Sequence, residues 1–135
     1  MYLLDTNALL IFLKNDGTEA SLTEETKKLM VSSESKLYLS IVSLWEMSIK
    51  AKIGKLELKK TISEVEENCY QQGIEIIPIK SSHLDETVNL PLFDDHKDPF
   101  DRMIIATSKI EGLTLISTDG TIRAKKDEYG IDLIW

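Results

Sequence analysis

Apolar residues along this chain fall in short runs rich in leucine and isoleucine, separated by longer stretches where they recur every three or four positions. The short runs read as strands and the longer ones as helices. "YLL" (2–4) is a short strand, followed by helical "NALLIFLK"; "KLYLS" (36–40) is a second strand and "IEIIPI" (74–79) a third. "LTLIST" (113–118) is the fourth strand and "IDLIW" (131–135) the fifth. Between them, Ser21 and Glu24 have the spacing of a capping box for a helix through about Val31. A helix from about Ser43 to Ile53 stops at Gly54, another starts at Thr61 with Glu64 and ends at Gly73, and Ser82 with Asp85 opens the next. Asp98 and Pro99 suit the cap and first position of a helix ending at Gly112.

Strands alternating with helices predict an α/β fold, a three-layer α/β/α sandwich around a mostly parallel sheet. At 135 residues the expectation is one domain spanning 1–135, long enough to close a hydrophobic core. The 42% hydrophobic and 29% charged composition fits a globular chain, and no apolar run approaches the roughly 20 residues of a membrane span. The start "MYLLDTNALLIFLK" lacks a basic opening and a small-residue cleavage site, and the lone Cys69 cannot build a disulfide framework. Both point to the cytoplasm. Cys69 follows Val65 by one helical turn and reads as a packed thiol.

Charge changes the picture more. The net charge of −7 speaks against simple electrostatic binding of nucleic acid, unless acids are concentrated in a metal site. Two divalent cations would bring −7 to −3 (−7 + 4). In a parallel sheet, functional groups gather beyond the carboxyl ends of the strands. Asp5 directly follows the first predicted strand and Asp119 the fourth. Glu46 shares an apolar helical stripe with Val42, Ile49 and Ile53, where a carboxylate needs a partner. Asp101 lies in the first turn of a helix whose "MIIA" is apolar all round.

Each acid also has an ordinary reading: Asp5 as a cap, Glu46 as a solvated helix residue, Asp101 as a dipole partner, Asp119 as a turn residue with Gly120. Converging at one sheet edge, they would repel by roughly 4 kcal/mol per pair at 4 Å and an effective dielectric near 20. A hard divalent cation, Mg²⁺ or Mn²⁺, removes that cost, whereas zinc would want cysteines or paired histidines. Such a site activates water and neutralises a phosphodiester.

The blocks "LLDTNALL", "SLWEMSIKAKIGKLEL", "DPFDRMIIATS" and "LISTDGTI", in this order and spacing, resemble the PIN domain family, specifically the VapC-type toxin ribonucleases of toxin–antitoxin systems. The resemblance runs essentially end to end. It implies a metal-dependent endoribonuclease in which Asp5, Glu46, Asp101 and Asp119 hold one or two Mg²⁺ or Mn²⁺ ions and carry catalysis. Thr6, Asn7 and Thr118 match positions that orient the carboxylates or waters. It further implies an RNA substrate drawn from the translation machinery, a cognate antitoxin whose tail occludes the acidic pocket, and a homodimer.

Lesser roles are divided. Arg102 suits a substrate phosphate or a salt bridge to Asp98. Lys50, with Lys52 and Lys55, suits an RNA backbone or a solvated face. Asp98 is expected to cap its helix and His96 to be a hydrogen-bonded loop residue. Trp45 and Met47 read as packing residues, in the core or at an interface. The strongly apolar "TNALLIFL", with residues 21–31, offers a groove for an antitoxin helix.

Rival readings fit less well. A haloacid-dehalogenase-like phosphatase wants an acid two residues after Asp5, where Asn7 stands. A response-regulator receiver wants an aspartate after the third strand, where Lys80, Ser81 and Ser82 stand. A non-toxin processing nuclease and a non-catalytic binding module of the same fold remain as alternatives.

Overall fold

The computed structural model describes residues 1–14 and 22–135, with Lys14 described by its backbone alone. Five strands, β1 (Tyr2–Leu4), β2 (Leu37–Ser40), β3 (Ile74–Ile77), β4 (Thr114–Ile116) and β5 (Leu133–Ile134), form one sheet in the order β3-β2-β1-β4-β5. All four pairings are parallel. The helices are α1 (Thr6–Lys14), α2 (Glu24–Val31), α3 (Ile41–Lys52), α4 (Ile62–Gln71), α5 (Ser81–Asn89), α6 (Pro99–Glu111), α7 (Gly120–Ala124) and α8 (Lys126–Tyr129).

The period-2 alternation of the strands sends consecutive side chains to opposite faces. Leu3, Leu115 and Leu133 join the core under α6, α7 and α8, with Ile104, Ile105, Ile122 and Tyr129. Leu4, Leu37, Leu39 and Ile116 join the core under α1 to α4, with Leu9, Met30, Leu44, Met47, Val65 and Cys69. Helices therefore cover both faces, and the expected three-layer α/β/α arrangement holds, with a sheet that is parallel throughout. Burying each such leucine contributes roughly 1.5–3 kcal/mol, so the sheet is anchored from both sides. Cys69 is fully buried and its thiol is pushed up to about 11 by that burial, a packed, unreactive sulfur.

The chain places β2 and β3 on one side of β1, and β4 and β5 on the other. The switch of direction falls between β1 and β4, which puts a crevice beyond their carboxyl ends. Asp5 and the Ser117–Thr118–Asp119 turn border that crevice.

Local boundaries follow caps. Thr61 and Glu64 form the expected capping box, and Asp98 accepts the Asp101 N–H at 3.0 Å while Gly112 closes α6 at φ +66°. Other boundaries moved. Ser21 lies outside the described residues, and Thr23 is the residue that caps α2. Ser40 begins α3 earlier than expected. The start of α5 is held by neither Ser82 nor Asp85: the buried His83 accepts the Lys80 N–H on Nδ1 at 3.2 Å and turns Nε2 to Glu111 at 2.8 Å. The fifth strand shrinks to Leu133–Ile134, and α7 and α8 fill the connection between Asp119 and Gly130. Among the described residues no helix is long and apolar enough to cross a membrane.

Candidate active site

Two acids leave the sheet itself. Asp5 follows β1, its N–H donating to Ile116 O at 3.0 Å, and its Oδ1 accepts the Ala8 N–H at 2.7 Å, capping α1. Asp119 follows β4 and its Oδ1 accepts the N–H groups of Thr121 (2.8 Å) and Ile122 (3.0 Å). Asp119 thus caps helix α7, which begins at Gly120, where the sequence alone also allowed a simple turn. Each acid is fixed by the helix it starts, and each keeps a second carboxylate oxygen for other partners.

The other two acids come from helices and are held by side chains. Glu46 is 7% exposed, with the Thr6 hydroxyl donating to Oε1 at 2.6 Å and Lys50 Nζ pairing with Oε2 at 2.7 Å. The apolar stripe that predicted its burial holds at Val42 but fades outward, since Ile53 is 59% exposed. Asp101, half-buried in the first turn of α6, pairs through Oδ2 with His96 Nε2 at 3.1 Å. The apolar run after it is buried as expected: Ile104, Ile105 and Ala106 are nearly inaccessible.

These acids act on one another. Burial, at 6% exposure, pushes the Asp5 carboxyl up to about 6 against hydrogen bonds from Ser117 and Ala8, and the charges of Asp119 and Glu46 raise it further. Asp101 is also pushed up to about 6, first by burial, with Asp98 and Asp119 adding repulsion against the His96 hydrogen bond. Asp119 therefore presses on both. Lys50 holds its proton more tightly, chiefly through Glu46, with Asp98 and Asp101 adding to the effect. All four acids thus belong to one electrostatic neighbourhood.

Whether that neighbourhood suits a cation is a question of donor chemistry. Among the described residues no three His, Cys, Asp or Glu side chains stand at mutual distances that would already hold a metal ion. The donors are nonetheless carboxylates and hydroxyls, the set preferred by hard divalent ions. Two carboxyls are disfavoured as anions by burial and like charge, a penalty a cation relieves. In charge and ligand type the residues fit Mg²⁺ or Mn²⁺.

The expected supporting residues divide. Thr6 is 4% exposed and grips Glu46, while Asn7 is exposed. Thr118 is half-buried, but the contacts at this turn belong to Ser117: its hydroxyl oxygen accepts the Asp119 N–H at 3.1 Å and bonds Asp5. Its position immediately after a strand beside a switch point was the signal for it. Arg102 departs from both sequence readings. Its guanidinium donates to the carbonyls of Thr87 (2.8 Å), Pro91 (2.8 Å) and Leu90 (3.2 Å), clasping the end of α5 instead of Asp98 or an open phosphate position. Met47 is core at 1% exposure, whereas Trp45 is 59% exposed and meets Phe100 edge-on, with ring centroids 5.3 Å apart.

A parallel α/β sandwich with acids gathered at its switch point defines the class. The PIN domain family model matches residues 2–128, and the chain belongs to that family. Comparison with curated protein sequences gives no significant match. Among solved structures, the chain is similar to FitAcB from Neisseria gonorrhoeae, at 17% identity and TM-score 0.66, covering 100% of this chain and 97% of that one. It is similar to DNA-bound VapBC from Salmonella typhimurium, at 19% identity and TM-score 0.67, covering 98% and 95%. A toxin-antitoxin complex from Klebsiella pneumoniae matches at 22% identity and TM-score 0.58, covering 100% and 97%.

Proposed function

We propose that this PIN-domain chain is a divalent-metal-dependent endoribonuclease and the toxin of a toxin–antitoxin pair. The observation that carries the reading is the burial of neighbouring acids at one end of the sheet: burial first, and then the charge of adjacent carboxylates, pushes the Asp5 and Asp101 carboxyls up to about 6. Four anions held together at this cost suit a cation-binding catalytic centre better than structural capping. The toxin assignment draws support from the motif resemblance and from the structural likeness to FitAcB, VapBC and a toxin-antitoxin complex.

In this reading Asp5, Glu46, Asp101 and Asp119 hold Mg²⁺ or Mn²⁺, as one or two ions. When bound, the metal supplies an activated water and neutralises the scissile phosphodiester. The protein's own residues fix the donors. Main-chain N–H groups of α1 and α7 orient Asp5 and Asp119, Thr6 holds Glu46, and Ser117 joins the two strand-borne acids. Lys50, paired with Glu46 Oε2 at 2.7 Å but with its side chain 39% exposed, suits a flanking RNA phosphate; Arg102, whose guanidinium already donates to three carbonyls, is the weaker candidate for such a contact. A cognate antitoxin and a homodimer complete the proposal, with the whole chain 1–135 acting as a single PIN domain in the cytoplasm.

The test is cleavage of total RNA by purified protein with Mg²⁺, Mn²⁺ or chelator, beside Asp101→Asn. Metal-dependent cleavage lost in the variant is the expected result. Equal cleavage by both proteins would overturn the site, and no cleavage under any condition would favour the non-catalytic reading.

A further inference from the structure

His96 lies outside the four acids, yet it is 5% exposed and bonded at both ring nitrogens. Nδ1 meets the hydroxyl of Tyr129, a side chain with no exposed surface, and Nε2 meets Asp101 Oδ2 at 3.1 Å. An ionised carboxylate only accepts hydrogen bonds, so Nε2 carries the proton and donates to Asp101. In the neutral ring Nδ1 is then an acceptor, filled by the Tyr129 O–H. One direction of donation runs from tyrosine through imidazole to acid.

The surroundings make this chain stiff. The Tyr129 ring is met edge-on by Phe93 (5.4 Å, 89°) and by the His96 ring itself (5.7 Å, 70°). The loop carrying His96 is tied back to the same region by Lys125, whose Nζ pairs with Asp95 at 3.0 Å and lies over the Phe93 ring at 4.8 Å. The His96 N–H donates to Phe93 O at 3.2 Å. His96, the partner of Asp101, thus sits in a loop braced by Lys125 and by Tyr129 of α8, and Tyr129 falls just beyond the span matched by the family model, which ends at residue 128.

We propose that His96, oriented by Tyr129, is a positioning residue for Asp101: it fixes Oδ2 in one direction and thereby presents the other carboxylate oxygen to the metal. This rests on the metal-dependent nuclease reading above. A partner that orients a ligand carboxylate in this way typically contributes 10–100-fold in metal affinity or activity.

The variants are chosen by which nitrogen they imitate. Glutamine places its amide nitrogen near the imidazole Nε2 and keeps a donor for Asp101. Asparagine places its own near Nδ1 and does not reach. The full-length wild-type protein, His96→Ala, His96→Gln, His96→Asn and Tyr129→Phe are titrated with Mn²⁺ alone, reading free Mn²⁺ by electron paramagnetic resonance, with thermal melts on each. RNA cleavage against Mn²⁺ concentration is followed in parallel. His96→Ala and His96→Asn are expected to weaken Mn²⁺ binding about 10–100-fold, His96→Gln to recover most of it, and Tyr129→Phe to lose a few-fold.

Wild-type Mn²⁺ affinity in folded His96→Ala would overturn the proposal while leaving the nuclease reading intact. So would His96→Gln folded but as weak as His96→Asn. If His96→Ala fails to fold, the Gln and Phe variants decide. A wild-type protein that binds no Mn²⁺ and cleaves no RNA would overturn both readings together.

Discussion

The acids at the mouth of this sheet arrive by two routes, and the routes differ in what holds them. Asp5 steps directly off β1 and Asp119 follows β4 across Ser117 and Thr118, and both are gripped by main-chain N–H groups of the helices they start. Glu46 and Asp101 project from helices and are gripped by side chains: Thr6 and Lys50 for one, His96 for the other. Placement by main chain is a consequence of the fold and survives most substitutions nearby. Placement by side chain depends on one or two named partners and is lost with them.

The sharpest way to separate placement from charge is Asp5→Asn, because the amide oxygen can still accept the Ala8 N–H. On the proposed nuclease reading, in which Asp5 is an anionic metal ligand, cleavage should fall about 100-fold. Stability should move the other way. The Asp5 carboxyl titrates near 6 in the fold against 3.8 unperturbed, so between those values the native state binds more protons than the unfolded one. The metal-free wild type therefore loses stability as pH rises from about 4 to above 6, by up to about 3 kcal/mol at 1.36 kcal/mol per unit. Asp101 adds in the same direction. Melts in chelator should show wild-type Tm falling across that window and Asp5→Asn falling less, ending more stable at pH 7. A wild-type Tm that rises from pH 4 to 7 in chelator would refute the charge assignment.

The same division explains what could be read in advance. Asp5 and Asp119 were legible because each follows a short apolar run that reads as a strand, and the parallel topology brings β1 beside β4 without any side-chain detail. Glu46 was legible only through the polar interruption of an apolar stripe, and the family motif supplied the rest. The partners were not legible. Nothing in "DEYG" singles out Tyr129 as the far end of a hydrogen-bonded chain, since it meets His96 across 33 residues of sequence. Arg102 misled for the same reason: its guanidinium chooses carbonyls up to 15 residues away, a choice made by the loop after α5 and invisible in "DPFDR". Caps based on short polar side chains were found where they were local, as at Thr61 and Asp98. They were missed at α5, where a histidine does the work of Ser82.

The side-chain route is tested at Thr6. Thr6→Ala removes the hydroxyl that donates to Glu46 at 2.6 Å, while Thr6→Ser keeps it. The alanine variant should lose about 10–100-fold in Mn²⁺ affinity and the serine variant only a few-fold. If the two variants bind Mn²⁺ alike, Glu46 is oriented by something other than Thr6, and the contrast between the two routes weakens.

Lys50 gives the smallest effect and the most instructive one. Its ammonium pairs with Glu46 at 2.7 Å, but its side chain is 39% exposed against 9% for the glutamate. An exposed pair contributes about 0–1 kcal/mol, because water screens it. Leaving a buried carboxylate unpaired costs more. Lys50→Met should therefore destabilise the metal-free protein by about 1 kcal/mol, near the exposed limit, since Thr6 still satisfies Glu46. Adding Mn²⁺ should shrink the difference, because a bound cation at the four acids supplies the charge that Lys50 otherwise provides. Asp5 and Asp119 have backbone amides for support and no such resident cation among their described contacts. A Lys50→Met penalty equal with and without Mn²⁺ would mean that Glu46 looks away from the metal, leaving Asp5, Asp101 and Asp119 to hold it.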